Sequence, residues 1–286
     1  MVFSRLMAPS TLASLPHGQA ASTRSGRRRA GVGALLLLGA TLARRGPLAL
    51  VSMVISVLTV LVLCAIAFAF ARRGGDAPVQ SVPVLASSAL AWGGGFLHAV
   101  AISVGALRRD RAEGIRHLFV VRTASLHGYL LARVGGLAAV LAVIVAGGTL
   151  LVSLAALVGA MRGHAVAATL QSTFGAVVYS LVYAVVIASV AFAALGSRTR
   201  LSGYFALLLV LVVPEIVSNM LTGPLPSEVT ELCAIPSALA ALRSSISPGT
   251  VDVFRFLRAL VAAAVFAGVA LFLVRRRLLV ASTEEP

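Results

Sequence analysis

Long apolar runs alternate with short polar connectors along this chain, and within each run the apolar residues are continuous. A helix crossing a hydrocarbon core of about 30 Å needs about 20 such residues, at about 1.5 Å of rise each. Six segments reach that length: Pro47–Ala71, Val82–Leu107, Tyr129–Val158, Val166–Leu195, Leu201–Leu221 and Val253–Val274. A membrane barrel would need residue-by-residue alternation in pieces of about ten residues, which is not the pattern here. The sequence therefore predicts an all-α integral membrane protein with six transmembrane helices in one domain, residues 47–277.

Residues 1–30, rich in Ser, Arg, Gly and Pro, lack the apolar content to order a core and predict a disordered tail. Residues 278–286 read as a second short tail. Between the first tail and span one lies GVGALLLLGATLA, Gly31–Ala43, bracketed by Arg27–Arg29 and Arg44–Arg45. It is too short to span. Two readings compete: a signal sequence, or an interfacial elbow helix over residues 31–46, anchored by arginines at both ends. The elbow is favoured, because cleavage would remove a segment from a protein that already carries its own first span.

Composition agrees with the pattern. The chain is 59% hydrophobic and 12% charged, against about 25% charged for a soluble domain. All 24 basic residues are arginines, and most fall on one side of the predicted bundle. Arg5 to Arg45, Arg108 to Arg122, Arg198 with Arg200, and Arg275 to Arg277 share that side; Arg72, Arg73, Arg162 and Arg243 fall on the other. The positive-inside rule then predicts that both termini are cytoplasmic, and the expected location is the cell membrane, for a bacterial protein the inner one. The net charge of +15 is explained as topology and attraction to anionic lipid. It is spread over separate patches with no aromatic stacking platform, which argues against nucleic-acid binding.

Catalytic motifs are missing: there is no His-Glu-x-x-His, Cys-x-x-Cys or Gly-x-Ser-x-Gly. No metal site and no bound cofactor is expected. His98, deep in span two, reads as a hydrogen-bonded packing residue. Tyr179, Tyr183, Ser180, Ser189 and Ser153 read as interhelical hydrogen-bond partners in preference to a substrate path, and the glycines at 93–95, 135–136 and 147–148 as sites of close helix approach or as hinges, packing being favoured. The outer segment Leu232–Leu242 is too short and too polar to span, and reads as a surface helix.

The most informative polar stretch joins spans two and three. From Arg108 it reads RRDRAEGIRHLFVVRTASLHGYLLAR, ending at Arg133. Ile115, Leu118, Phe119 and Leu126 fall at helical spacing, with Arg111, Glu113, Arg116 and His117 on the other positions. This is either a charged loop that fixes topology or a coupling element.

An acidic-basic cluster with Glu113-Gly114, an amphipathic turn, a polar break at Thr123–Ser125 and a basic residue, Arg133, entering a Gly/Ala-rich span together resemble the corresponding connection of type-2 ABC transporter permeases. The elbow, six spans and a long connection before span six also resemble that family, and Leu232–Leu242 resembles the re-entrant or lid helices that cap its outer side as much as it does a plain surface helix. The chain departs from its Gly-Thr-Leu-Glu pattern at Gly114-Ile115-Arg116-His117, which lacks the second acid. The membrane subunits of heme exporters share this architecture, and the motif does not separate the two. The resemblance implies that Arg111, Glu113, Gly114, Arg116, Leu118 and Phe119 form a loop that docks a separate ATPase, and that a second permease subunit, identical or not, completes the assembly. A Walker A loop needs a lysine, and this chain has none, so ATP and Mg²⁺ would belong to the ATPase subunit.

Glu215 is an acid inside a span. It lies about 9 Å from the outer end of span five, and Arg258 lies about 7.5 Å into span six. Matching depth on consecutive antiparallel helices predicts a Glu215–Arg258 ion pair; the alternatives are that Glu215 snorkels to the outer surface or contacts a substrate or cation. The function expected is the permease subunit of an ATP-driven exporter. The alternatives are a membrane assembly protein without transport, and an ion-coupled transporter, the latter suggested by Glu215 and the span-six arginines.

Overall fold

A computed structural model describes residues 33–44, 46–73, 76–114, 126–160, 166–196, 200–220, 226–247 and 249–283. Its six long apolar helices run Pro47–Phe70, Gln80–Ala112, Gly128–Val158, Val166–Leu195, Leu201–Met220 and Val253–Leu279. These are the six spans read from the sequence, and the chain is an all-α, multi-pass integral membrane protein. The last helix runs on to Thr283, so most of the segment read as a tail after residue 277 is helical. The predicted tail over residues 1–30 lies outside the described residues.

Span four is the centre of the bundle. In its most apolar stretch 72% of residues are buried, against 17% for span one, 22% for span five and 28% for span six, so those three form the periphery. The core is mostly small and branched side chains around Tyr179, Tyr183, Ile187 and Phe192 of span four. In a bilayer apolar faces gain nothing by leaving lipid, so close helix approach depends on small residues. Gly94 and Gly148 show this, whereas a Cβ on Gly93 or Gly147 would meet nothing within 4 Å among the described residues. A Cβ on Gly94 of span two would lie 2.0 Å from Ser56 Oγ of span one, and one on Gly148 of span three 2.7 Å from Leu90 of span two.

The ends of the bundle are defined by cross-helix bonds. Span two breaks at Val104-Gly105, where Gly105 has φ 64°, and resumes as a short helix, Ala106–Ala112. The amides freed by the break are used: Gly105 N–H donates to Leu195 O at 3.2 Å, and Leu107 N–H to Gly196 O at 3.1 Å. They satisfy carbonyls left open at the end of span four. Arg277 of span six donates to Ala193 O at 2.7 Å. The ends of spans two, four and six thus meet at one end of the bundle.

The helix Gly33–Ala43 packs at that same end, and it is called the elbow helix here. Its buried residues Gly39 and Ala43 lie four apart on one face. They face the start of span three: a Cβ on Gly39 would lie 1.7 Å from Ala132 O, and one on Gly136 would lie 2.4 Å from the Gly39 carbonyl carbon. Backbone meets backbone. The turn into span one uses Gly46, at φ 119°, followed by Pro47 in the first helical turn, where its missing N–H is harmless.

At the opposite end, a cap is built from a one-turn helix Ser227–Thr230, a helix Ile235–Ser244 and a hairpin pairing Ile246–Ser247 with Thr250–Val251. The longer cap helix buries Ile235, Ala238, Leu239, Ala241 and Leu242. It is not a plain surface helix, because its apolar face is packed into the bundle. Gln171 of span four clamps the hairpin, its Nε2 donating to Ser247 O at 2.6 Å and its Oε1 accepting from Gly249 N at 3.2 Å.

Candidate functional site

The densest polar cluster lies at the elbow end, where span two exits and span three enters. Asp110 is 1% exposed, and Arg133 and Tyr129 are 8% and 1% exposed. Arg133 grips the carboxylate in a fork, Nε donating to Oδ2 at 2.6 Å and Nη2 to Oδ1; the Tyr129 hydroxyl donates to Oδ2 at 2.5 Å. Tyr129 and Arg133 are four apart, one helical turn, so both reach one acceptor from the same face. Bidentate Arg–carboxylate geometry fixes direction as well as distance.

This cluster joins the two ends of the connector. Residues 115–125 lie outside the described residues, but the chain leaves span two at Asp110 and returns at Tyr129 and Arg133, and these three are bonded to one another. Arg109 reinforces the exit by donating from Nη2 to Val104 O at 3.3 Å and Ile102 O at 3.4 Å, carbonyls next to the helix break. A cavity of about 220 Å³ beside the cluster is lined by Leu42 of the elbow helix, by Ile102, Ala106, Arg109, Asp110 and Glu113, and by Arg133 of span three. Elbow, exit and entry therefore share one locus.

Of the residues expected to form the coupling loop, Arg116, Leu118 and Phe119 lie outside the described residues. Arg111 and Glu113 are exposed, close after Asp110. Gly114, at φ 66°, ends the short helix in the left-handed conformation that favours glycine, with its N–H donating to Arg111 O at 3.2 Å. The Glu-Gly pair thus has a local structural reason. Asp110 and Tyr129 are not among the expected site residues, because Asp110 sits among the arginines of a connector that reads as a charged loop or a coupling element. The available signal was Tyr129-x-x-x-Arg133, two groups on one face that both suit a carboxylate.

The Glu215–Arg258 pair is not formed. Arg258 Nη1 bonds Glu228 of the cap, and Arg255 grips Glu231 through Nε at 3.0 Å and through Nη2. Asp252 caps span six, its Oδ1 accepting from the Arg255 N–H at 2.9 Å. Glu215 accepts from Ser237 N–H, in the first turn of the cap helix, at 3.2 Å, where open amides and the helix dipole favour an anion. Depth matched but partners did not: the cap, folded between spans five and six, offers both charges nearer groups.

The interior polar residues also divide. Tyr183 makes the cross-helix bond expected of it, donating to Ala91 O at 2.6 Å. Ser180 and Ser189 instead donate to carbonyls four residues back in their own helix, and Ser153 Oγ has no partner among the described residues. Tyr179 lies under Arg243 of the cap, 5.5 Å from ring centroid to guanidinium, while Arg243 also bonds Ser88 of span two. His98 Nδ1 lies 2.8 Å from Ser52 Oγ. That hydroxyl donates to Ala49 O, so it accepts from Nδ1–H, and the buried Nε2 has no hydrogen-bond partner among the described residues.

No protein-family model matches this sequence, and no curated protein matches it significantly.

Proposed function

We propose that the chain is the permease subunit of an exporter driven by a separate ATPase, with the elbow end facing the cytoplasm and the ATPase docked on the connector between spans two and three. The observation that carries this reading is the Asp110–Arg133–Tyr129 cluster. A loop that only marks topology needs no rigid footing. Here the loop's two roots are tied together in a buried site, beside an elbow helix seated backbone to backbone on span three. A force applied to the connector would pass to spans two and three and the elbow as one unit. The helix break at Val104-Gly105, held to the end of span four, extends that unit to the centre of the bundle.

Other features support the reading. A chain without lysine has no Walker A loop, so ATP and Mg²⁺ belong to the partner. The exposed faces of spans one, five and six suit lipid or a second permease subunit. Glu215 caps a helix at the cap end, which removes the acid that most favoured an ion-coupled transporter.

The test is purification of the full chain together with its ATP-binding partner in nanodiscs. Glu113→Ala is expected to leave membrane insertion and copurification intact while lowering the ATPase stimulation that the permease confers. If no ATPase associates, or if Glu113→Ala and a connector deletion over residues 115–119 both leave the stimulation unchanged, the reading is wrong.

A further inference from the structure

Spans one and three do not close on each other along their whole length. They leave an apolar groove of about 840 Å³ whose walls include Met53, Val57 and Leu61 on one side and Val140, Val143 and Leu151 on the other. Val57, Leu61, Val143 and Leu151 are 59%, 60%, 64% and 58% exposed, so the walls stand open to whatever surrounds the bundle. The floor is lowered by Gly147, where an added Cβ would meet no heavy atom within 4 Å. Gly147 ends a stretch of i→i+5 turns, Val143–Gly147, whose extra residue rotates the following face of span three and leaves the notch open.

One end of the groove is charged. Arg44, at the end of the elbow helix, lines it, is exposed, and has no ion pair among the described residues. The remaining lining is apolar apart from Ser56, whose hydroxyl is already used on Ser52 O at 2.8 Å. From Val140 to Leu151 the groove follows about 16 Å of helix, which is close to half of a hydrocarbon core of about 30 Å. A partner helix crossing the membrane would need a groove running the full depth of span one, and this one covers about half of it. A soluble anion would need the arginine and not the apolar floor. A single acyl chain of one leaflet, with an acidic headgroup at the elbow end, fits both the length and the polarity.

We infer that this groove is a binding site for an acidic phospholipid, with one acyl chain lying between spans one and three and the phosphate on Arg44. Guanidinium and phosphate match in a bidentate geometry, and one interfacial arginine contributes about a fivefold preference for anionic lipid.

The full chain, purified in detergent, is titrated with phosphatidylglycerol or with phosphatidylcholine of identical chains, and bound lipid is counted by native mass spectrometry. The wild type is expected to retain phosphatidylglycerol in preference to phosphatidylcholine. Arg44→Gln should remove about fivefold of that preference while some chain binding persists. Val57→Phe, on an exposed wall where folding is indifferent, and Gly147→Leu, on the floor, should lower retention of both lipids. Inorganic phosphate should not displace the lipid. Equal binding of the two lipids with no effect of Arg44→Gln overturns the inference, as does full lipid retention in Val57→Phe. Displacement by inorganic phosphate would mean an anion site without a chain. Conversion of a dimer to a monomer by Val57→Phe, with lipid count unchanged, would mean that the groove holds a second copy of this chain.

Discussion

Asp110 carries its charge into a site where it is 1% exposed, and its three hydrogen bonds are what make that placement tolerable. Removing one partner of a buried ion pair leaves the other charge unmatched and costs about 3–5 kcal/mol, whereas removing both together costs much less. Asp110→Ala and Arg133→Met are therefore each expected to lower the thermal stability of the purified protein strongly, and the double variant should lose less than the sum of the two. Strict additivity would mean that the pair does not hold the connector roots. Arg258 and Glu228 present the opposite case. Their side chains are 40% and 65% exposed, and exposed pairs contribute about 0.2–1 kcal/mol, so Glu228→Gln should change stability little. Glu215→Gln combined with Arg258→Gln should be additive within about 0.5 kcal/mol, because each acts on a different part of the cap. Coupling above that, measured in the same unfolding assay, would restore the direct pairing of these two residues.

At the scale of elements, the elbow helix is held by shape. Gly39 and Gly136 touch through their backbones, and Leu36 lies against Gly135, where a Cβ would come within 2.7 Å of its side chain. Gly136→Ala is expected to destabilise the fold by about 1–3 kcal/mol, the usual effect of overpacking a close contact. Gly268→Ala, in span six where an added Cβ meets nothing within 4 Å, should be neutral. Thermal melting of the two variants side by side checks this, and equal effects would mean that the elbow is not seated on span three. The cap follows a different logic, in which polar side chains do the fastening: Glu215 at the first turn of its longer helix, Arg243 on Ser88, Gln171 on its hairpin. Each ties the cap to a different span, so no single substitution is expected to release it.

For the whole molecule, the cross-helix bonds place the ends of spans two, four and six with the elbow at one end and the cap at the other. Cys233 is exposed in the cap and Cys64 is half-buried within span one. If the arginine bias orients the bundle, a membrane-impermeant maleimide applied to intact cells should label Cys233 and leave Cys64 unmodified. Labelling of Cys233 only after the membrane is opened would invert the molecule and move the proposed ATPase site to the wrong side.

The number and approximate limits of the spans were set by sequence alone. In a bilayer each crossing must satisfy its own backbone bonds, so a span is a local property that any sufficiently long apolar run announces. The helix Gly33–Ala43 was legible for a similar reason, as an apolar run between Arg27–Arg29 and Arg44–Arg45 that is too short to cross. Partner choice was decided only by the tertiary structure. Glu215 and Arg258 have the right depth for each other, yet each is taken by a nearer group of the cap, while Asp110, which in sequence is one charge of a polar connector, turns inward to Arg133 and Tyr129. Depth follows from counting residues along a helix, but facing follows from the rotation and tilt of each helix about its axis. Those are fixed by neighbouring helices, here at contacts such as Gly39 on Gly136, whose consequences no single segment contains.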